Sequence, residues 1–302
     1  MAHWISPQNS LQSTVLGRKR FKGRHTGENQ AQHFWEVVET YHLHEKIGYF
    51  TLDNASNNDT AMRCIQSYHQ NSGIPFDPLA RRLRCFGHVI NLVVKAFLWG
   101  DDPEAFEIEV SNYQTLEKEQ EELLAWRKKG PCGKLHNLIV YVTRTPQRRD
   151  RFEEKVKQLY PDSSVTTLIR GNETRWGGDY NSIIRAFDLR EALEDFVSLA
   201  IRRNEHGERA EGVGALKWDE LLPEDWDTLT EIVNVLGPFQ KWQLILQGRK
   251  HHGQLQDIFP AMDELLSHLE ERKLYYHSSE KAGYDTKYMQ MAINCAWKIL
   301  DK

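Results

Sequence analysis

The sequence predicts an α/β fold followed by a predominantly helical second part, and three observations carry that reading. Gly48-Tyr49-Phe50-Thr51-Leu52 is an apolar run that reads as a buried strand and ends on Asp53. A helical pattern follows it, and then a second short strand, Arg82-Leu83-Arg84-Cys85-Phe86, a spacing that implies a parallel crossover. Beyond Asn181 nearly every periodic stretch repeats at helical spacing.

The elements follow in order. Met1 to Ile5 and Thr14 to Gly17, separated by Ser6-Pro7-Gln8-Asn9-Ser10, read as a hairpin. A basic arm with Arg18, Lys19, Arg20, Lys22 and Arg24 comes next, and no Asp or Glu occurs before Glu28. Thr26 is a suitable N-cap for a helix reaching about His44, with Phe34, Val37, Val38 and Tyr41 at helical spacing. After the strand at 47–53, Ser56-Asn57-Asn58-Asp59 supplies the cap and first turn of a second helix that carries Ala61, Met62, Ile65 and Tyr68. His88 to Trp99 is apolar nearly all round, which predicts a buried helix. Residues 101–129 read as an exposed acidic loop leading into a solvated helix, with the run at 117–122 on its wet face. Leu135, Leu138, Ile139 and Val142 mark another helix, and 146–160 a further one rich in Arg and Lys. Val165 to Tyr180 reads as an extended stretch followed by a turn; Pro238 is expected to kink or begin a helical segment.

Composition narrows the class. A chain of 302 residues with 40% hydrophobic and 27% charged residues can bury a substantial core, as one large domain or two ordinary ones. A formal charge of −4 exerts no global pull on nucleic acid or an anionic membrane, so such binding must rest on local patches. Cys64, Cys85, Cys132 and Cys295 include no CxxC pair, which points to free thiols in a reducing compartment. No apolar run is long enough to span a membrane.

Three places could carry chemistry. Asp53 lies where catalytic groups gather in open α/β sheets, outside the carboxyl end of a strand. A carboxylate there suits a hard divalent cation, and equally suits capping of the next helix. Cys85 and His88 are three apart, but no second pair completes a zinc site. They read either as a buried thiol and a helix-starting His, or as a phosphate contact at a helix N-terminus. Arg175 and Trp176, flanked by Gly177 and Gly178, suit an unstacked base with the indole on its face and the guanidinium on phosphate; a core Trp is the plainer alternative. The other histidines read as solvated surface groups.

Taken in order, AHWIS, GRHTGEN, KIGYFTLDNASNNDT, LRCFGHVINLVVKAFL and TRWGGDYNSIIRAF closely resemble the hAT superfamily of DNA transposases in the form common in fungal genomes. The resemblance is strong over about 1–190 and loose beyond. It implies a ribonuclease-H-like core, a mixed sheet flanked by helices, interrupted by a mostly helical insertion. It implies cut-and-paste DNA transposition with Mg2+ or Mn2+, DNA ends as partner, a possible homo-oligomer and a nuclear location. By motif, Asp53 corresponds to the second acidic residue of an Asp-Asp-Glu triad and so to a metal ligand. Cys85 and His88 correspond to a short motif beside the active site, and Arg175 and Trp176 to an Arg-Trp motif linked to an unstacked base.

The family's first Asp, with its strand, and its final Glu have no counterpart in these residues. The expectation is therefore a core lacking its first strand, an insertion incomplete at its C-terminal side, and a chain truncated at both ends that does not catalyse transposition. Residues 1–100 would form the first part of the core, 101–170 a helical connection, and 171–302 the helical insertion. A domesticated DNA- or protein-binding module is the alternative, favoured by the basic arm and by Arg148, Arg149 and Arg151.

Overall fold

The computed structural model describes residues 2–18, 20, 24–53, 55–171, 177–205, 216–246, 257–278 and 286–301. The chain divides into two compact units, Met1–His88 and Val89–Lys302.

The first unit opens with a hairpin whose second arm lies earlier than the expected Thr14–Gly17: β1 (Ala2–Ile5) pairs antiparallel with β2 (Leu11–Thr14), Ala2 opposite Thr14. Helix α1 (Gly27–Thr40) begins where Thr26 caps it, its side chain accepting from the Asn29 backbone N–H. Strand β3 (Phe50–Leu52), helix α2 (Ser56–Asn71) and strand β4 (Arg82–Arg84) form the expected crossover, and β3 and β4 pair in parallel. Ala31, Ala61, Met62, Ile65 and Phe76 make the core, with Phe34, Phe50 and Leu52 packed on it. Phe34 meets Phe50 edge to face with ring centroids 5.0 Å apart. The mixed sheet expected from the resemblance is not seen as one sheet among the described residues. The strands form two separate two-stranded sheets, β1–β2 and β3–β4, in a chain that is otherwise mostly helical.

Helix α3 (Phe86–Trp99) starts two residues earlier than its apolar run suggests. In the second unit it is followed by α4 (Pro103–Thr115), α5 (Glu119–Arg127), α6 (Gly130–Thr143), α7 (Pro146–Leu159), α8 (Gly177–Asp188) and α9 (Arg190–Glu205). A 3-10 turn (Leu216–Asp219) then leads into α10 (Pro223–Leu246), α11 (Ile258–Ser278) and α12 (Thr286–Leu300). Helix α4 corrects the expectation of a loop in the first part of 101–129, while α5 stands where the solvated helix was expected. Asp102 caps α4, and Phe106, Val110, Ala125 and Trp126 are buried, because each helix keeps one apolar side within an acidic sequence. The extended stretch expected after Val165 forms no strand over 165–171. Pro238 lies inside the continuous helix α10 rather than starting a segment. Leu135, Leu138, Ile139 and Val142 are buried on α6, which packs on α5, α7, α10 and the 3-10 turn.

Two histidines correct the expectation of solvated rings. His69 is buried, stacked on Phe76 with centroids 4.6 Å apart and meeting Trp35 edge-on, and neither ring nitrogen finds a partner among the described residues. Burial, and then the charges of Arg81 and His44, hold its pKa below the usual value. His136 lies flat on Trp126, centroids 3.7 Å apart, and burial pulls its pKa down from 6.5 to about 3. Since the unfolded chain takes up that proton first, the stability tied to a neutral His136 is complete above pH 6.5 and drains as pH falls toward 3. At pH 5 the cost to the second unit is about 2 kcal/mol. Urea unfolding at pH 7.5 and pH 5 should show that loss, and His136→Phe should remove it; an unchanged pH dependence in the variant would place the titration elsewhere.

Candidate nucleic-acid interface

The parallel pairing of β3 with β4 sets Leu52 opposite Arg84, and the ladder runs one step further, with the Cys85 N–H donating to the Leu52 carbonyl at 2.9 Å. Asp53 and Cys85 are thus the first residues beyond the carboxyl ends of two adjacent strands, the place where α/β proteins assemble sites. Two helices begin at the same sheet end, α2 at Ser56 and α3 at Phe86. Their N-termini carry the positive ends of their dipoles, and within them the Asn58 N–H donates to the Ala55 carbonyl and the His88 N–H to the Cys85 carbonyl, at 2.9 Å each. His88 is the third residue of α3, and no acidic residue lies in that first turn.

Asp53 is exposed and locally engaged. Its Oδ1 accepts from the Ala55 N–H at 3.1 Å and from the Asn58 side-chain amide, which also donates to the Asp53 carbonyl at 3.1 Å. This is an Asx turn that holds the start of α2, where Ala55 occupies the cap position without a side-chain cap bond. Arg82 reaches across from β4, donating through Nη2 to the Asp53 carbonyl at 2.9 Å and pairing through Nη1 with Asp59. Asn57 donates to the His25 carbonyl at 2.9 Å, joining the start of α2 to the loop before α1. Asn57, Asn58 and Asp59 therefore serve the cap and first turn, as their sequence suggests.

Arg82 had no distinguishing signal in the sequence. In the Arg-Leu-Arg strand one arginine is tied to Asp53 and Asp59 while Arg84 is exposed, and only the pairing with β3 decides which is which. Positive charge elsewhere in this unit includes Arg18, Arg20, Arg24 and Arg63, all exposed. The arrangement offers anions two helix N-termini and exposed guanidinium groups.

A pair of divalent cations does not fit these residues. Two-metal phosphoryl transfer needs several oxygen ligands holding ions about 4 Å apart. Here Asp53 is a single carboxylate, Asp59 is paired with Arg82, and Cys85 offers a soft sulfur ill-suited to Mg2+. Among the described residues no group of three or more His, Cys, Asp or Glu is placed to hold a metal ion. Arg175 and Trp176 lie outside the described residues. Helix α8 begins directly after them, with Ser182, Ile183 and Ala186 buried.

Two family models match the chain: the ZBED1 RNase-like domain over residues 1–74 and the ZBED1 RNase-like helical domain over residues 83–211. A protein of Talaromyces stipitatus, provisionally named transcriptional regulator tpeD, is 25% identical over 283 residues, covering 90% of this chain and 30% of that protein. Two Zea mays proteins, provisionally named AC transposase and AC9 transposase, are each 34% identical over 95 residues, which is 31% of this chain and 12% and 11% of theirs. The chain thus spans less than a third of the length of each of these relatives. Among the described residues no helix is long and apolar enough to cross a membrane.

Proposed function

The chain is a hAT-like, transposase-related protein, and from that premise we propose that it is a DNA-contacting module derived from a transposase which binds duplex DNA in the nucleus without cutting it. The observation that carries this reading is the carboxyl end of the β3–β4 pair. Two helices begin there and Arg84 is exposed, while the carboxylate expected to hold a metal is engaged in an Asx turn. Phosphate binding needs local positive charge and backbone donors, both available at this end; hydrolysis needs a carboxylate cluster, and Asp53 alone does not make one. In this role His88, at the start of α3, contacts a phosphate, and Asp53 fixes the loop that presents α2. Arg175 and Trp176 would contact an unstacked base, as their motif suggests.

The match to tpeD, which runs through nearly the whole of this chain, favours a regulatory use of such a module over a remnant without a role. Binding of a labelled 30-base-pair duplex, followed by fluorescence anisotropy, should weaken steeply between 50 and 200 mM salt. Arg84→Glu should weaken it further and lower the salt slope by about 1. Binding that is absent, or indifferent to salt and to Arg84, would defeat the proposal.

A further inference from the structure

The junction between the 3-10 turn and α10 holds an aromatic side chain outward from an anchored backbone. Leu216, Asp219 and Leu221 are buried, yet Trp218 is 72% exposed and Leu222 is 52% exposed. The anchoring is polar as well as apolar. The Arg127 guanidinium donates to both Asp219 oxygens, through Nε and Nη2 at 2.7 Å each, and the Asn137 amide donates to Asp219 Oδ1 at 2.9 Å. On the other side of Leu222, Asp225 accepts from the Leu222 N–H at 2.9 Å and pairs with Lys134 at 2.7 Å. Trp218 and Leu222 are thus carried on a segment fixed at both ends, so ordering them on binding costs little, the condition under which an exposed Trp acts as an anchor.

Charge decides what the anchor meets. A base could stack on the indole in a DNA-contacting protein. The surroundings oppose it: Asp219 and Asp225 are paired with Arg127 and Lys134, but Glu220, Glu224 and Asp227 add three further carboxylates to the same twelve residues, 216–227, where Lys217 is the one cation in the sequence. Phosphate is repelled within a Debye length of such a cluster, whereas a cationic group is drawn to it and gains further from the ring face.

We propose that Trp218 and Leu222 form a docking site for a cationic, partly apolar peptide segment of a partner protein, an Arg or Lys side chain lying over the indole and an apolar residue against Leu222. The probe is a labelled 14-residue peptide with Arg and Leu at helical spacing, titrated by anisotropy against the full chain carrying 5-fluorotryptophan for 19F NMR. The expected result is a shift of the Trp218 signal on peptide addition. Affinity should fall about tenfold in Trp218→Ala, and similarly in the Glu224→Lys/Asp227→Lys pair. Trp4→Ala, which removes an exposed Trp from the first unit, should leave affinity unchanged. Equal affinity in Trp218→Ala would overturn the proposal, and so would a Trp218 signal that moves with single-stranded oligothymidine instead of the peptide. Because Trp218 is exposed, its substitution should leave the thermal midpoint unchanged.

Discussion

Asp219→Ala should lower the unfolding free energy of the second unit by about 3–5 kcal/mol, the cost of stranding one member of a buried ion pair. Asp219 is buried, and its carboxylate is the acceptor for three donors, two from Arg127 on α5 and one from Asn137 on α6. Removing it takes two acceptors from the guanidinium and one from the amide where little water can reach. Asn137 retains its bond to the Leu123 carbonyl at 3.1 Å. Asp219→Asn keeps one acceptor and should cost less. Urea unfolding followed by tryptophan fluorescence measures both; a loss below about 1 kcal/mol in the Ala variant would mean that the 3-10 turn detaches while the helices stay folded.

Gly27→Ala should destabilise the first unit by about 3 kcal/mol or more, beyond the ordinary range for one added methyl group. A Cβ on Gly27 would stand 2.2 Å from the Asn57 carbonyl oxygen and 2.8 Å from the Ala61 N, both backbone atoms of α2. No rotamer change can relieve such a contact, so α1 and α2 must separate. The gain in helix propensity, at most about 1 kcal/mol, does not offset this. Separation would also pull Asn57 from the His25 carbonyl and loosen the loop that carries Asp53. A thermal midpoint within a degree or two of the parent chain would refute this packing.

Elements with local signals were legible in the sequence. Thr26 caps α1, the β3–α2–β4 spacing gives a parallel pair, and Leu135 to Val142 turn one face of α6 inward, all readable from neighbours a few residues apart. Helix α4 and the buried side of α5 were hidden because their acidic surfaces dominate composition, while burial depends on few residues such as Phe106, Val110 and Trp126. The buried histidines escaped for a different reason. Trp35, Phe76 and Trp126, which enclose His69 and His136, are supplied by the fold and lie 34, 7 and 10 residues away in sequence. At the candidate interface, the position of Asp53 at a strand end was readable from the apolar run before it, whereas Cys85, expected inside a strand reaching Phe86, lies just beyond β4. The engagement of Asp53 at the start of α2 was one of the two readings open in the sequence, whereas its tie to Arg82 was not legible, since that depends on the register that sets Leu52 beside Arg84.

The most direct test is to incubate the chain with duplex DNA and Mg2+ or Mn2+ and to follow binding and strand scission on the same samples, beside Asp53→Asn. The substituted amide would keep an oxygen to accept from Ala55 and Asn58 while losing the charge, so the account predicts binding at least as tight as the parent chain's and no cutting by either protein. Metal-dependent cutting by the parent chain that Asp53→Asn abolishes would contradict it.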